Sequence, residues 1–169
     1  METLLRPMRQ EDRDPVVHMI TELYNLHHRL ASSTQRSPHT YRDSLRCLEE
    51  WEGKDHEVLC IWCEQGLAGF LTLRYEGQKA AWLREIYVLP EFRGRGTRSI
   101  ALEQLDEMMI GKGIRSLFVD IVPGNEDTLS FYRDHGFDHL NMMQLRKSYD
   151  PVLNKGEEIE VLEHRMRKC

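Results

Sequence analysis

The stretch VLPEFRGRGTRSIALEQL, residues 88–105, runs from the end of a strand through two glycines set among three arginines and into a helix. A helix mouth presents several N–H groups without intrahelical partners and a partial positive charge, so it suits a phosphate or pyrophosphate. Gly94 and Gly96 would let such a ligand approach the backbone closely. Arg93, Arg95 and Arg98 bracket the same start, where cations oppose the helix dipole by about 0.3–1 kcal/mol each unless an anion is bound. A solvated basic turn is the plain alternative, and the neighbouring elements decide between them.

Upstream, EVLCIWCE, LAGFLTLRYE and KAAWLREIYVLP read as three consecutive strands of a meander, separated by short turns. Before them, TLLRPM reads as a first strand, and two helices follow it. One starts at Asp14 and Pro15 and carries Val16, Ile20, Leu23, His27 and Leu30 at helical spacing. The other starts at Ser37 and Pro38, places Tyr41, Leu45, Leu48 and Trp51 on one face, and stops at Gly53. Downstream, Ile100, Ala101, Leu105, Met108 and Met109 line a helix ended by Gly111 and Gly113, and SLFVDIV follows as a buried strand. After Pro123 and Gly124, Asn125 caps a helix over DTLSFYRDH that Gly136 closes, and FDHLNMMQLRK reads as a further strand. Ile159 and Val161 place an edge strand in the tail. The order predicts an α/β fold with a mixed, mostly antiparallel central sheet of about six to seven strands flanked by about four helices. Residues 1–169 read as one domain with a C-terminal extension from about 148.

Composition limits the function. A net charge of −5 disfavours general nucleic-acid binding, which draws on many cations. No apolar run approaches the roughly 20 residues needed to span a bilayer, and METLLRPMRQEDRD is too charged for a signal peptide, so no membrane partner and a cytoplasmic location are expected. Four cysteines are too few for a disulfide framework, and Cys60 and Cys63 fall on opposite faces of one strand. The adjacent His27 and His28 point in different directions on their helix, so no metal site is expected.

Two phosphate-binding patterns compete for the glycine turn. The dinucleotide fingerprint lacks its third glycine, since Ser99 stands there, and its strand would be fully buried, whereas this one carries Arg84 and Glu85. The G-x-x-x-x-G-K-[ST] loop is absent.

Taken with SLFVDIVPGNEDTLSFY and YRDHGF, the segment EIYVLPEFRGRG resembles the GNAT superfamily of N-acetyltransferases, over roughly residues 55–145 in pattern and over 1–54 in helix order. The resemblance implies that backbone amides from Arg93 through Gly94, Arg95, Gly96 and Thr97 to Arg98 cradle the pyrophosphate of acetyl-CoA as cosubstrate. Arg98 departs from the family pattern, which keeps a small residue there. The resemblance also implies an oxyanion donor near Tyr87 and Val88, a pantetheine contact at Asn125, a cofactor contact at Thr128, and Tyr132 at the position that protonates the leaving thiolate. By the same resemblance the first two helices line the acceptor pocket, with Tyr24, His27 and their acidic residues.

The chemistry needs a base, because an alkylamine is only about one part in 10³ neutral at pH 7. Glu85, on the strand entering the loop, is the candidate, acting directly or through water; it reads equally as a surface carboxylate. Tyr132 likewise reads as a core aromatic beside Phe131. The expectation is direct N-acetylation of a small-molecule or peptide amine in a ternary complex, with a non-catalytic acyl-CoA-binding module as the alternative. The last strand offers an edge for pairing two chains into a homodimer.

Overall fold

The computed structural model describes residues 2–30, 37–121, 126–147, 149, 151 and 156–167. They sort into two compact units, 1–119 and 120–169. The first unit holds a five-stranded sheet in the order β1 (Thr3–Pro7), β2 (His56–Cys63), β3 (Gly66–Glu76), β4 (Ala80–Val88), β5 (Ser116–Val119). Every pairing is antiparallel except that between β4 and β5, which is parallel and spans Ala80–Ser116 to Leu83–Val119. The helix α3 (Thr97–Gly111) makes the crossover that a parallel pair requires.

The helices α1 (Arg13–Leu30) and α2 (Tyr41–Trp51) cover one face of the sheet. Val16, Val17, Ile20 and Leu23 of α1 and Leu48 of α2 are buried in one cluster with Val58, Cys60, Phe70 and Tyr87 of the strands. Each such aliphatic side chain contributes about 1.5–3 kcal/mol by leaving water. The two helices are tied by a bidentate Arg13–Glu52 pair at 2.7 and 2.6 Å and by the Thr21 and Ser44 hydroxyls, 2.7 Å apart. Ala101, Leu102, Leu105 and Met109 form the buried side of α3. Gln104 of α3 accepts from Leu5 N–H at 2.7 Å and donates to the Thr3 carbonyl at 2.6 Å, occupying backbone groups of β1.

Several boundaries differ from the sequence reading. α1 begins at Arg13, after a 3-10 turn at Gln10–Asp12, so Asp14 lies inside its first turn. Asp12, not Asp14, is the buried carboxylate there: it accepts from Arg6 at 2.6 and 3.1 Å and from Arg9 N–H at 2.8 Å. α2 begins after Thr40, whose hydroxyl accepts from Asp43 N–H in a capping box, rather than at Ser37 and Pro38. A reciprocal side-chain bond outcompetes the proline signal.

The second unit contains α4 (Glu126–Asp134) and a hairpin of β6 (Glu158–Val161) and β7 (His164–Arg167). The tail strand at Ile159 and Val161 is therefore one arm of a hairpin, turned by Leu162 and Glu163 at φ 48 and 66. Residues 137–147, read from sequence as a strand, form neither helix nor strand; Leu140, Met142 and Leu145 are exposed, so their apolar character has no sheet to match. Pro123, Gly124 and the Asn125 cap lie outside the described residues.

Candidate active site

The site is built where β4 loses one neighbour. Pairing with β5 stops at Leu83, whereas pairing with β3 continues to Val88. Leu89 N–H donates to the Ala68 carbonyl at 2.8 Å, which sets the phase of the strand. By antiparallel alternation Tyr87 points its backbone groups at β3, and Val88 points its N–H away, into the gap. The Val88 carbonyl, on the same side, accepts from Arg93 Nε at 2.8 Å instead of from a strand.

The facing of β4 changes at the same place. Leu83 pairs with Leu73 and Glu85 with Thr72, so Arg84 is the extra residue of a β-bulge. Were the strand regular, with Arg84 paired in its turn, Glu85 would share the face of Leu83; with the bulge Glu85 joins the rows Val58–Thr72–Glu85 and Cys60–Phe70–Tyr87 beneath α1 and α2. Gly69 allows the close packing of β3 on this half of β4: a Cβ there would lie 2.1 Å from the Tyr87 carbonyl oxygen.

Beyond β4 a 3-10 turn at Pro90–Phe92 leads into the glycine turn, with Gly94 at φ +71 and Gly96 at φ +77, conformations that disfavour any side chain. A Cβ at either glycine would meet nothing within 4 Å, so this backbone is open to a ligand. Thr97 is buried and its hydroxyl donates to the Phe92 carbonyl at 3.1 Å, fixing the first residue of α3. The early amides of α3 at Thr97, Arg98 and Ser99 have no carbonyl four residues back within the helix. Arg93 and Arg95 are exposed beside them. This cradle of bare backbone, helix N-terminus and cations fits a pyrophosphate.

On the helix side, a cavity of about 480 Å³ opens beside Glu85, walled by Tyr24 and Trp51 and bordered by Arg74 and Arg84. Tyr24 donates to Glu85 at 3.5 Å and stacks on His39, ring centroids 4.7 Å apart. Burial raises the Glu85 carboxyl above its ordinary range, against the opposing pull of Arg84 and the Tyr24 hydroxyl. Burial, then the Glu85 charge, also raises Tyr24, so the phenol keeps its proton and donates. Tyr87 donates to Glu22 of α1 at 2.7 Å; burial and that carboxylate push it up to about 12. Thr72 Oγ1, directly across the strand pair from Glu85, is buried and has no hydrogen-bond partner among the described residues.

A profile described as the Acetyltransferase (GNAT) family matches residues 19–137, well over half the chain. The chain belongs to the GNAT acetyltransferase family. Acyl transfer is thus the chemistry for which this scaffold is used. Solved GNAT-like structures share its fold. YycN of Bacillus subtilis, provisionally assigned as an acetyltransferase, superposes at TM-score 0.68 with 20% identity, covering 88% of this chain and 100% of that one. The PaiA N-acetyltransferase of Thermoplasma acidophilum, solved in complex with coenzyme A, gives 0.63 and 20%, covering 80% and 89%. An acetyltransferase of Thermus thermophilus gives 0.65 and 21%, covering 80% and 86%.

Within this GNAT chain the structure brings Tyr24 to Glu85 and gathers Tyr87, Val88 and Arg93, whose guanidinium lies 5.4 Å from the Tyr87 ring centroid. His27 touches the Tyr24 ring edge-on at 6.2 Å, and burial lowers its pKa. It does not line the cavity. Thr128 and Tyr132 lie on α4 in the second unit, where Tyr132 is buried against Phe131 and Phe137. Asn125 lies outside the described residues. Sequence reading missed Trp51, Arg74 and Thr72 as parts of this face. It pointed there through Glu85 and through Tyr24 and the acidic residues of the first two helices.

Proposed function

We propose that the protein is an N-acetyltransferase that uses acetyl-CoA and acts on an amine of a small molecule or peptide in a ternary complex. The observation that carries this reading is the parting of β4 from β5 immediately before a glycine turn at the mouth of α3. Gly94, Gly96 and the early amides of α3 would hold the pyrophosphate, with Arg93, Arg95 and Arg98 supplying charge.

Bound acetyl-CoA supplies an activated thioester, and transfer forms a C–N bond to the acceptor while the C–S bond breaks. Val88 N–H, aimed into the gap, donates to the carbonyl oxygen as negative charge builds there. The Glu85 carboxylate takes the proton that the amine sheds. Its raised pKa suits it to that work near neutrality better than an ordinary surface carboxylate. Tyr132 gives a proton to the departing thiolate, an assignment supported by the pattern Thr128, Phe131, Tyr132 ahead of GF.

Calorimetric titration with acetyl-CoA tests the cosubstrate. One-to-one binding is expected, and it should be lost in Gly96→Glu, which sets a carboxylate and a strained backbone in the cradle. Equal affinity in the variant would refute the assigned cradle, and no binding by the parent protein would refute the transferase. Thiol release with an amine panel tests turnover; binding without release marks a module that holds acyl-CoA but performs no transfer.

A further inference from the structure

The cavity beside Glu85 carries charges of both signs, and their arrangement bears on what the acceptor is. Arg74 and Arg84 border it together with Glu50 and Glu85, so two cations and two anions line one small space. Resting on the transferase reading above, we propose that the acceptor is an amine that also carries a carboxylate, and in this small cavity a free amino acid. Its carboxylate is held by Arg74 and Arg84, and its amino group is presented to Glu85.

The balance of charge is the first argument. A simple monoamine gains at Glu85 but meets two arginines, and a simple anion gains at the arginines but meets two carboxylates. A molecule with separated poles of opposite sign gains at both.

The sheet provides the separation. Arg74 pairs with Trp82, whereas Glu85 pairs with Thr72, two residues along β3 from Arg74. The two positions are thus diagonal neighbours on one face, about 7–8 Å apart at the backbone. Side chains reaching from both can therefore grip one small molecule. The Arg74 guanidinium is held over the Trp82 ring, 5.0 Å from its centroid, and its acidic neighbour Glu76 stands 3.8 Å away on a solvated side. That surface pair contributes little and yields readily to a better-placed carboxylate.

Size and shape agree. A cavity of about 480 Å³ lies in the range of small-ligand sites. Tyr24 and Trp51 supply aromatic walls for an aliphatic or aromatic side chain. His56 sits directly across from Arg74 and lines the same cavity, where its ring nitrogens offer a further hydrogen-bonding group.

The test uses the full chain with coenzyme A present and reads binding by saturation-transfer NMR. The probes are an equimolar mixture of the twenty proteinogenic amino acids and, separately, the mixture of their α-carboxamides. At least tenfold tighter binding of the acids is expected, with that preference lost in Arg74→Gln and Arg84→Gln and partly restored in Arg74→Lys. Thermal melts of each variant exclude simple unfolding. A dipeptide with a free C-terminus that outbinds the free amino acids, and loses affinity on amidation, would support the carboxylate grip and assign its source to a peptide end. Equal binding of acids and amides, no binding of either, or tighter binding of a linear triamine through Glu50 and Glu85 would overturn the proposal. Thiol release from acetyl-CoA separates the two readings. Turnover of carboxyl-free amines without that of amino acids would overturn this inference and leave the transferase standing. Arginine-dependent binding of amino acids without thiol release would support this inference and refute the transferase.

Discussion

The two halves of β4 differ in what holds them. Ala80–Leu83 is paired on both sides, with β3 and with β5, while among the described residues Glu85–Val88 is paired with β3 alone. The first half is ordinary sheet interior: Ala81 and Leu83 are 0% and 2% exposed and contribute packing. The second half has given up one ladder, and in exchange its backbone and side chains are available to other partners: Val88 N–H to the gap, Glu85 to Tyr24, Tyr87 to Glu22. The contrast teaches that tight packing and polar groups turned to other partners occupy consecutive residues of one strand, divided by a single bulge.

Four substitutions would break or sharpen that division. Gly69→Ala drives a methyl into the Tyr87 carbonyl, so β3 and the second half of β4 must move apart. Urea unfolding should show a loss of about 4 kcal/mol, the size reserved for severe backbone conflict. A loss under about 1 kcal/mol would mean that the halves are not so rigidly set. Glu85→Gln should lower kcat/KM by about 10²-fold to 10⁴-fold without lowering Tm. It should also erase the acid limb of the pH profile. That limb reports a carboxylate that works only when deprotonated, and since its pKa is raised, activity in the parent protein should rise with pH above the usual glutamate range. The same shift means that ionising Glu85 destabilises the fold as pH rises from its unfolded to its folded pKa, so Glu85→Gln should be at least as stable at neutral pH.

Leu83→Ala should show the opposite signature, a loss of about 2–5 kcal/mol in stability with kcat/KM of the folded fraction little changed. A rate collapse in this variant would dissolve the distinction between the halves. The smallest effect belongs to Tyr24→Phe. Its 3.5 Å bond favours the Glu85 carboxylate, so its removal should move the acid limb to higher pH and change kcat/KM by about twofold at the plateau.

Much of this was legible in the chain. Gly94 and Gly96 marked the left-handed turn into α3, because positive φ and a helix mouth have local signatures. The meander of β2, β3 and β4 followed from alternation. The bulge at Arg84 did not, because it depends on which residue of β3 lies opposite, a fact of pairing and not of local pattern. For the same reason Thr72 and Arg74, plain strand residues in isolation, gained their place only through the register. The start of α2 was misplaced because Ser37 and Pro38 carry a generic signal, whereas Thr40 and Asp43 complete the reciprocal bond that decides the cap.

The bulge also makes the site depend on counting. Along a regular strand, sidedness alternates, so every residue after an insertion or deletion inherits the opposite side from the one it would otherwise take. Arg84 is the one position exempt: removing it would erase the bulge and leave Glu85 opposite Thr72 and Tyr87 opposite Phe70, on the faces they hold now. Removing Ile86 instead would set Tyr87 opposite Leu71 and Val88 opposite Phe70, so that no side chain of the candidate site would have been mutated and yet the parity beyond Glu85 would be inverted. The segment from Glu85 to the glycine turn should therefore accept many changes of letter and almost no change of length.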